Sequence, residues 1–244
     1  MIIPDACAYL LPVVGVKQSP TGPPAVTEVY GTAFSIGQQF WLTAGHVARS
    51  AAANDYAALG VPSGTRLDLR PLVSHEVHNP LDLALLESPR IDMAPLSWSV
   101  SPQVMLAPVL SVGFPYALNR SEQLISIRGF RGHIVSAEVF PFLAGRPLAY
   151  ELSFQCPRGL SGAPLIIEST TLHVVGLIIG NAATQMLVFT DREVLAEGQT
   201  TIVERYESLQ FGIALQAQPI LNTRFDRLGR TVEEHLSECG LLRS

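Results

Sequence analysis

A serine set between glycines, a histidine at the end of an apolar stretch and an aspartate inside another can be read as parts of one reaction. The serine is Ser161, in Gln155-Cys156-Pro157-Arg158-Gly159-Leu160-Ser161-Gly162-Ala163-Pro164. A hydroxyl is a poor nucleophile unless a tight bend exposes its oxygen and nearby backbone N–H groups converge on one point. Gly159 and Gly162 permit that bend, although G-x-S-G alone describes a polar turn equally well. The base would be His46, in Thr43-Ala44-Gly45-His46-Val47. The third member is Asp82, in Leu81-Asp82-Leu83-Ala84-Leu85-Leu86. Charges are rarely buried unpaired, so Asp82 either opens its strand in solvent or accepts hydrogen bonds from a specific partner. Together they suit acyl transfer: His46 takes the Ser161 proton while Asp82 holds the imidazole tautomer and stabilises its charged form. Singly, each has a plain structural reading, as a core histidine, a strand-end cap and a turn residue.

The elements that must position these residues read as short strands broken by glycine and proline, the pattern of antiparallel sheet. In the first half they fall at 13–16, 27–36, 39–43, 65–73 and 81–86. A helical turn follows at 44–49, and the alanine-rich stretch 50–60 extends it briefly. Residues 88–102, with Pro89, Pro95 and Pro102 and little pattern between them, read as the linker between two halves. Further strands are expected at 104–112, 124–127, 132–139, 150–154, 165–168, 173–179 and 211–215. Only the tail reads as helix, at 219–222 and 231–236, where Thr231 is followed three residues later by Glu234, a capping-box spacing. The expected organisation is an N-terminal unit 1–102 carrying His46 and Asp82, a second unit 103–218 carrying Ser161, and a helical tail 219–244.

Composition narrows the class. Of the 244 residues 48% are hydrophobic and 15% charged, which favours a well-buried globular chain. The net charge of −5, with 16 basic residues spread thinly, provides no electrostatic footprint for nucleic acid. Cys7, Cys156 and Cys239 form no C-x-x-C pair, so neither a disulfide framework nor a zinc site is signalled, and a reducing compartment fits. His75 and His78 lie three apart on an extended segment, hence on opposite faces, and are read as surface histidines rather than metal ligands. Residues 1–16 are apolar but carry Asp5, Pro4 and Pro12 and lack a basic start, unlike a secretory signal. No apolar run approaches the ~20 residues of a membrane span. The expectation is a soluble, cytoplasmic protein without cofactor, metal, nucleic-acid or membrane partner.

The order His46, Asp82, Ser161 and the local patterns T-A-x-H-V, D-L-A-L-L and G-x-S-G-x-P resemble the trypsin-like (chymotrypsin-fold) serine peptidases. Gly31-Thr32-Ala33-Phe34, Val112-Gly113-Phe114-Pro115, the stretch from Gly132 to Ala137 and that from Val175 to Gly180 extend the likeness to roughly 13–219. Its closest flavour is the bacterial, HtrA-like branch, although no PDZ-sized region follows Leu215. The resemblance implies an all-β fold of two antiparallel six-stranded barrels with a short C-terminal helix. It implies a His46, Asp82 and Ser161 triad, an oxyanion hole from the Gly159 and Ser161 N–H groups, and a substrate pocket between Gln155, Cys156 and Arg158 on one side and Ile179, Gly180 and Asn181 on the other. A polypeptide would then bind as an extended strand along Gly180 and Asn181. An uncharged floor at Gln155 with Arg158 near the rim suits small, apolar or acidic side chains. Cys156 is read as a pocket wall, since Ser161 already fills the nucleophile position.

One departure is informative. Digestive and clotting members carry an aspartate immediately before the serine, which binds a new N-terminus after zymogen cleavage; this chain has Leu160. Activation by that salt bridge is therefore not expected. The resulting readings are a serine endopeptidase working through an acyl-enzyme, the same peptidase held latent until a protein partner activates it, and a peptidase fold that has become an inactive binding module.

Overall fold

The computed structural model describes residues 8–18, 22, 24–53, 56–63, 66–116, 118–119, 124–168, 171–194 and 200–243. Cys7 and the first residues of the apolar N-terminus lie outside them. Strands dominate. The first seven are β1 (Leu10–Lys17), β2 (Ala25–Gly37), β3 (Phe40–Ala44), β4 (Ala57–Ser63), β5 (Arg66–Pro71), β6 (Ser74–His78) and β7 (Leu83–Glu87), with helix α1 (Gly45–Ala52) between β3 and β4. They form one antiparallel sheet in the order β5-β4-β1-β2-β3-β7-β6. β1 is buried on both faces, which is why Leu-Leu-Pro-Val-Val reads as a continuous apolar run rather than an alternation. The alanine-rich stretch prolongs the helix only as far as Ala52. From Ala57 it is strand, because β4 pairs with both β1 and β5, and cross-strand packing overrides alanine's helix propensity.

The remaining strands are β8 (Ser97–Ser99), β9 (Pro108–Gly113), β10 (Leu118–Asn119), β11 (Leu124–Ile125), β12 (Arg128–Val139), β13 (Leu148–Leu152), β14 (Pro164–Glu168), β15 (Leu172–Val194) and β16 (Thr200–Gln216). The tail adds α2 (Ala217–Leu221), β17 (Arg224–Phe225), β18 (Arg230–Thr231), α3 (Val232–Glu238) and β19 (Leu242–Arg243). The second large sheet runs β14-β9-β12-β13-β16-β15-β8-β19, and β14 also pairs with β15, so six of its strands return on themselves. The expected all-β, two-sheet architecture is present: the first sheet has seven strands, and the second adds β8 and β19 to its ring of six.

The segment read as a linker is stitched into the fold. β8 lies within it, pairs in parallel with β15 and β19, and delivers Trp98, which is fully buried and packs 5.8 Å from the ring of Phe34. The largest core cluster likewise joins Phe34, Trp41 and Leu85 of the first sheet to Val112, Val174 and Leu215 of the second. The tail seats on the first sheet. Thr231 and Glu234 close a capping box, and the buried His235 ring donates from Nε2 to the Ile36 carbonyl at 3.0 Å.

The largest departure from expectation is the hairpin of β15 and β16. Strands expected at 173–179 and 211–215 continue together well past Gly180 and Gly212, with Val194 opposite Thr200 at the far end.

Candidate active site

β3 ends at Ala44 and α1 begins at once, so His46 sits in the first turn of the helix with its side chain 41% exposed. No side chain of the preceding residues caps this helix. Asp82 does so from another segment. The Asp82 carbonyl accepts the Gly45 N–H at 2.6 Å, and Asp82 Oδ1 accepts the His46 N–H at 2.8 Å. A carboxylate at a helix N-terminus satisfies orphan donors and complements the helix dipole.

The local backbone explains how Asp82 reaches that position. It is not the first residue of a strand but the cap of a short 3-10 turn, Asn79–Leu81, with φ 51°. This left-handed conformation is one that aspartate tolerates better than most residues. Asp82 Oδ2 accepts from His46 Nδ1 at 2.6 Å, and Oδ1 also accepts from Arg49 Nη2 at 2.6 Å. Arg49 is itself braced by Asn79 through a 2.9 Å bond. Burial raises the Asp82 carboxyl, but the hydrogen bonds and charges of His46 and Arg49 outweigh it and hold the group below the usual carboxylate range. With Nδ1–H directed at the carboxylate, the far nitrogen of His46, Nε2, carries the free lone pair.

The Ser161 loop is seated against the strands that lead to His46. Thr32 is the hub. Its N–H donates to the Ser161 carbonyl at 2.9 Å, its hydroxyl donates to the Gly159 carbonyl at 2.9 Å, and the same hydroxyl accepts the Phe114 N–H at 3.1 Å. Thr43, three residues before His46, donates to the Thr32 carbonyl at 2.7 Å. Gly162 fits this junction only because it lacks a side chain. Its φ is +85°, and a Cβ there would stand 2.1 Å from the Thr32 carbonyl oxygen and 2.2 Å from Thr43 Oγ1.

Gly159, at φ +98°, lies against the turn after β9, where a Cβ would meet the Phe114 oxygen at 2.5 Å. The Arg158 carbonyl accepts the Tyr116 N–H at 3.2 Å. Because the two ends of a trans peptide point in opposite directions, the Gly159 N–H is turned away from Tyr116. Among the described residues the Gly159 and Ser161 N–H groups donate to no protein acceptor. Nor, among them, does a hydrogen bond join Ser161 Oγ to the His46 ring.

The residues expected around the pocket are distributed unevenly. Cys156 is buried, and burial pushes its thiol up to about 12, which leaves it protonated at neutral pH and unsuited to nucleophilic attack. The Asn181 side chain brackets the Cys156 backbone, accepting its N–H at 2.7 Å and donating to its carbonyl at 2.9 Å. It ties together the two segments expected to line the pocket. Arg158 turns outward to an ion pair with Glu28 of β2. Gln155 is exposed, and Ile179 is half-buried. At Gly180 a Cβ would meet nothing within 4 Å, so the surface over this strand is open. His75 is exposed on β6, and His78 is partly buried at its end.

Sequence reasoning quoted Thr32 but gave it no role, and it passed over Arg49. Thr32→Val keeps the shape and deletes the hydroxyl, leaving the Gly159 carbonyl and Phe114 N–H unpaired. The expected cost is about 1–3 kcal/mol, read as a lower midpoint in urea unfolding. An unchanged midpoint would remove Thr32 from this account.

The fold is that of the chymotrypsin-type serine proteases. The Rv3671c protease from M. tuberculosis in its active form aligns with a TM-score of 0.55 and 18% identity over 97% of this chain and 82% of that one. The MamO protease domain from Magnetospirillum magneticum aligns at 0.57 and 16%, over 90% and 97% of the two chains. The HtrA-type protease AlgW with a decapeptide aligns at 0.60 and 15%, over 88% of this chain but 62% of AlgW's length. No protein-family model matches the chain, and no curated protein sequence does.

Proposed function

We propose that the chain is a serine endopeptidase in which Ser161 is the nucleophile, His46 the general base and acid, and Asp82 the group that orients and charges-compensates the imidazole. The observation that carries this reading is the His46 ring held at 2.6 Å on a carboxylate that also caps its own helix, beside a serine loop anchored to the preceding strands. Ser161 Oγ would attack the peptide carbon as His46 Nε2 takes its proton. The developing oxyanion would be met by the Gly159 and Ser161 N–H groups. The imidazolium then gives its proton to the departing amine, leaving an acyl-enzyme, which water hydrolyses by the same route in reverse.

The substrate proposed is a polypeptide laid as an extended strand along Gly180 and Asn181, where the surface is open. AlgW was solved with a decapeptide, and a peptide ligand of that kind fits this reading. With Arg158 paired to Glu28 and Cys156 uncharged, small or apolar side chains suit the pocket better than acidic ones. Cys156 and Cys239, which form no disulfide among the described residues, suit a reducing compartment such as the cytoplasm.

A fluorophosphonate probe tests the reaction directly. The expected result is one adduct, mapped by peptide mass spectrometry to Ser161. One specific observation favours a second reading, a protease that is latent or has become a binding module: the lack of a hydrogen bond between Ser161 Oγ and His46. Labelling only after a protein partner is added would establish latency. No labelling with or without partners at any pH from 5 to 9 would leave the binding module.

A further inference from the structure

Beyond Asn181 the β15 and β16 ribbon leaves the body of the molecule. β16 pairs with β13 only from Gly212 to Leu215, and β15 pairs with β8 only at His173 and Val174. From Ala182 to Phe211 the two strands have only each other among the described residues. Both faces of this arm are wet. Met186, Leu187, Val188, Phe189, Ile202, Val203, Tyr206 and Leu209 are 42–59% exposed. An isolated two-stranded ribbon is marginally stable in water, and a long unpaired edge invites another strand.

The two edges of the arm are not equivalent. β15 carries a bulge at Val188, where Leu187 pairs with Tyr206 and Phe189 with Arg205, and a bulge twists an edge away from pairing. β16 is unbroken opposite it. Its free run, 201–211, is centred on Tyr206 and stops at Gly212, whose N–H already donates to the Phe154 carbonyl.

That run is complementary to itself. If a second copy pairs antiparallel about a two-fold axis through Tyr206, Arg205 falls opposite Glu207 and Glu207 opposite Arg205. Val203 then falls opposite Leu209, again twice, and Thr201 opposite Phe211. Every such pair is odd with odd or even with even, so residues of one face of the ribbon meet the same face of the other copy. Directly opposed unlike charges and apolar pairs are the contacts that stabilise a strand pair. Among the described residues neither Arg205 nor Glu207 makes an ion pair within the chain.

We propose that two copies of this chain associate through the free edge of β16, joining their arms into a four-stranded sheet centred on Tyr206. The interface is isologous, as a two-fold contact requires. Because each arm grows out of the Gly180 and Asn181 strand, the dimer would hold two candidate clefts in a fixed relation.

The test is sedimentation equilibrium of the full chain. The expected mass is twice the 26.4 kDa of one chain. Arg205→Glu and Glu207→Arg should each weaken dimerisation about tenfold or more, since each puts two like-charge pairs across the axis, and the double exchange should restore it. Tyr206→Cys should give a reducible disulfide-linked dimer on mild oxidation, whereas Arg205→Cys, displaced from the axis, should not. A monomer at every concentration up to about 100 µM, a range within which specific interfaces form, overturns the proposal. So does a dimer indifferent to Arg205→Glu, or a charge exchange that fails to restore it. Co-sedimentation of a monomer with phosphatidylcholine and phosphatidylglycerol vesicles would overturn it in favour of a membrane surface.

Discussion

Ser161→Ala should lower turnover of a peptide substrate by a factor on the order of 10⁶, the scale of losing a triad nucleophile. It should also abolish fluorophosphonate labelling while leaving the unfolding midpoint unchanged. The separation is unusually clean here. The loop is tied to Thr32 through the Ser161 carbonyl, and no hydrogen bond of the serine hydroxyl is lost among the described residues. Folding and the proposed chemistry would then depend on different atoms of one residue. A residual acceleration of about 10³–10⁴ over water is expected to survive from the oxyanion donors and substrate binding. Activity within tenfold of the parent chain would exclude Ser161 as the nucleophile.

Asp82→Asn should lower kcat by about 10⁴ with little change in KM. The amide keeps the shape, but it can no longer compensate an imidazolium, and its N–H₂ would face either His46 Nδ1 or Arg49, both donors in the parent chain. The stability consequence has a definite sign. The carboxyl lies below its usual range in the folded state, so its contribution is complete above the ordinary carboxylate range and is lost as pH falls through the depressed folded value. Unfolding of the parent chain followed from pH 6 downward should show this loss, and Asp82→Asn should flatten that part of the profile. Arg49→Met is the milder companion. Arg49 is about half exposed, so its pairing is worth little to stability, but a kcat decrease of roughly tenfold is expected if it positions the carboxylate rather than merely neighbouring it. Arg49→Lys should recover only part, because an ammonium cannot reach Asp82 and Asn79 with the same fork.

What was legible in the chain was local. His46, Asp82 and Ser161 each sit in a short pattern whose backbone demands are written in neighbouring glycines and apolar residues, so they could be named before any fold was known. Asp82 inside an apolar run posed a question about its partners, and the helix it caps is the answer. Thr32 and Arg49 were illegible for the opposite reason: their roles depend on contacts with Gly159 and Asp82, 127 and 33 residues away along the chain. Residues 88–102 do run from the first sheet to the second, but among their three prolines the linker reading missed one three-residue strand, β8. Trp98 was the available signal, since so large an apolar side chain rarely belongs to an idle connection. The arm escaped because its apolar residues lie on both faces of a ribbon, which leaves no clean alternation for a strand pattern to follow.

Leu160 is fully buried and packs in the core cluster with Ala107, Val109, Ile134 and Leu165. The anchor beneath the serine loop is thus an oily one, worth about 1.5–3 kcal/mol by burial alone. An anchor of this kind does not answer to ionic strength or to the state of a chain terminus. It answers to temperature, because apolar burial weakens on cooling. On cooling, this apolar part of the loop's support should weaken, while its hydrogen bonds to Thr32 remain.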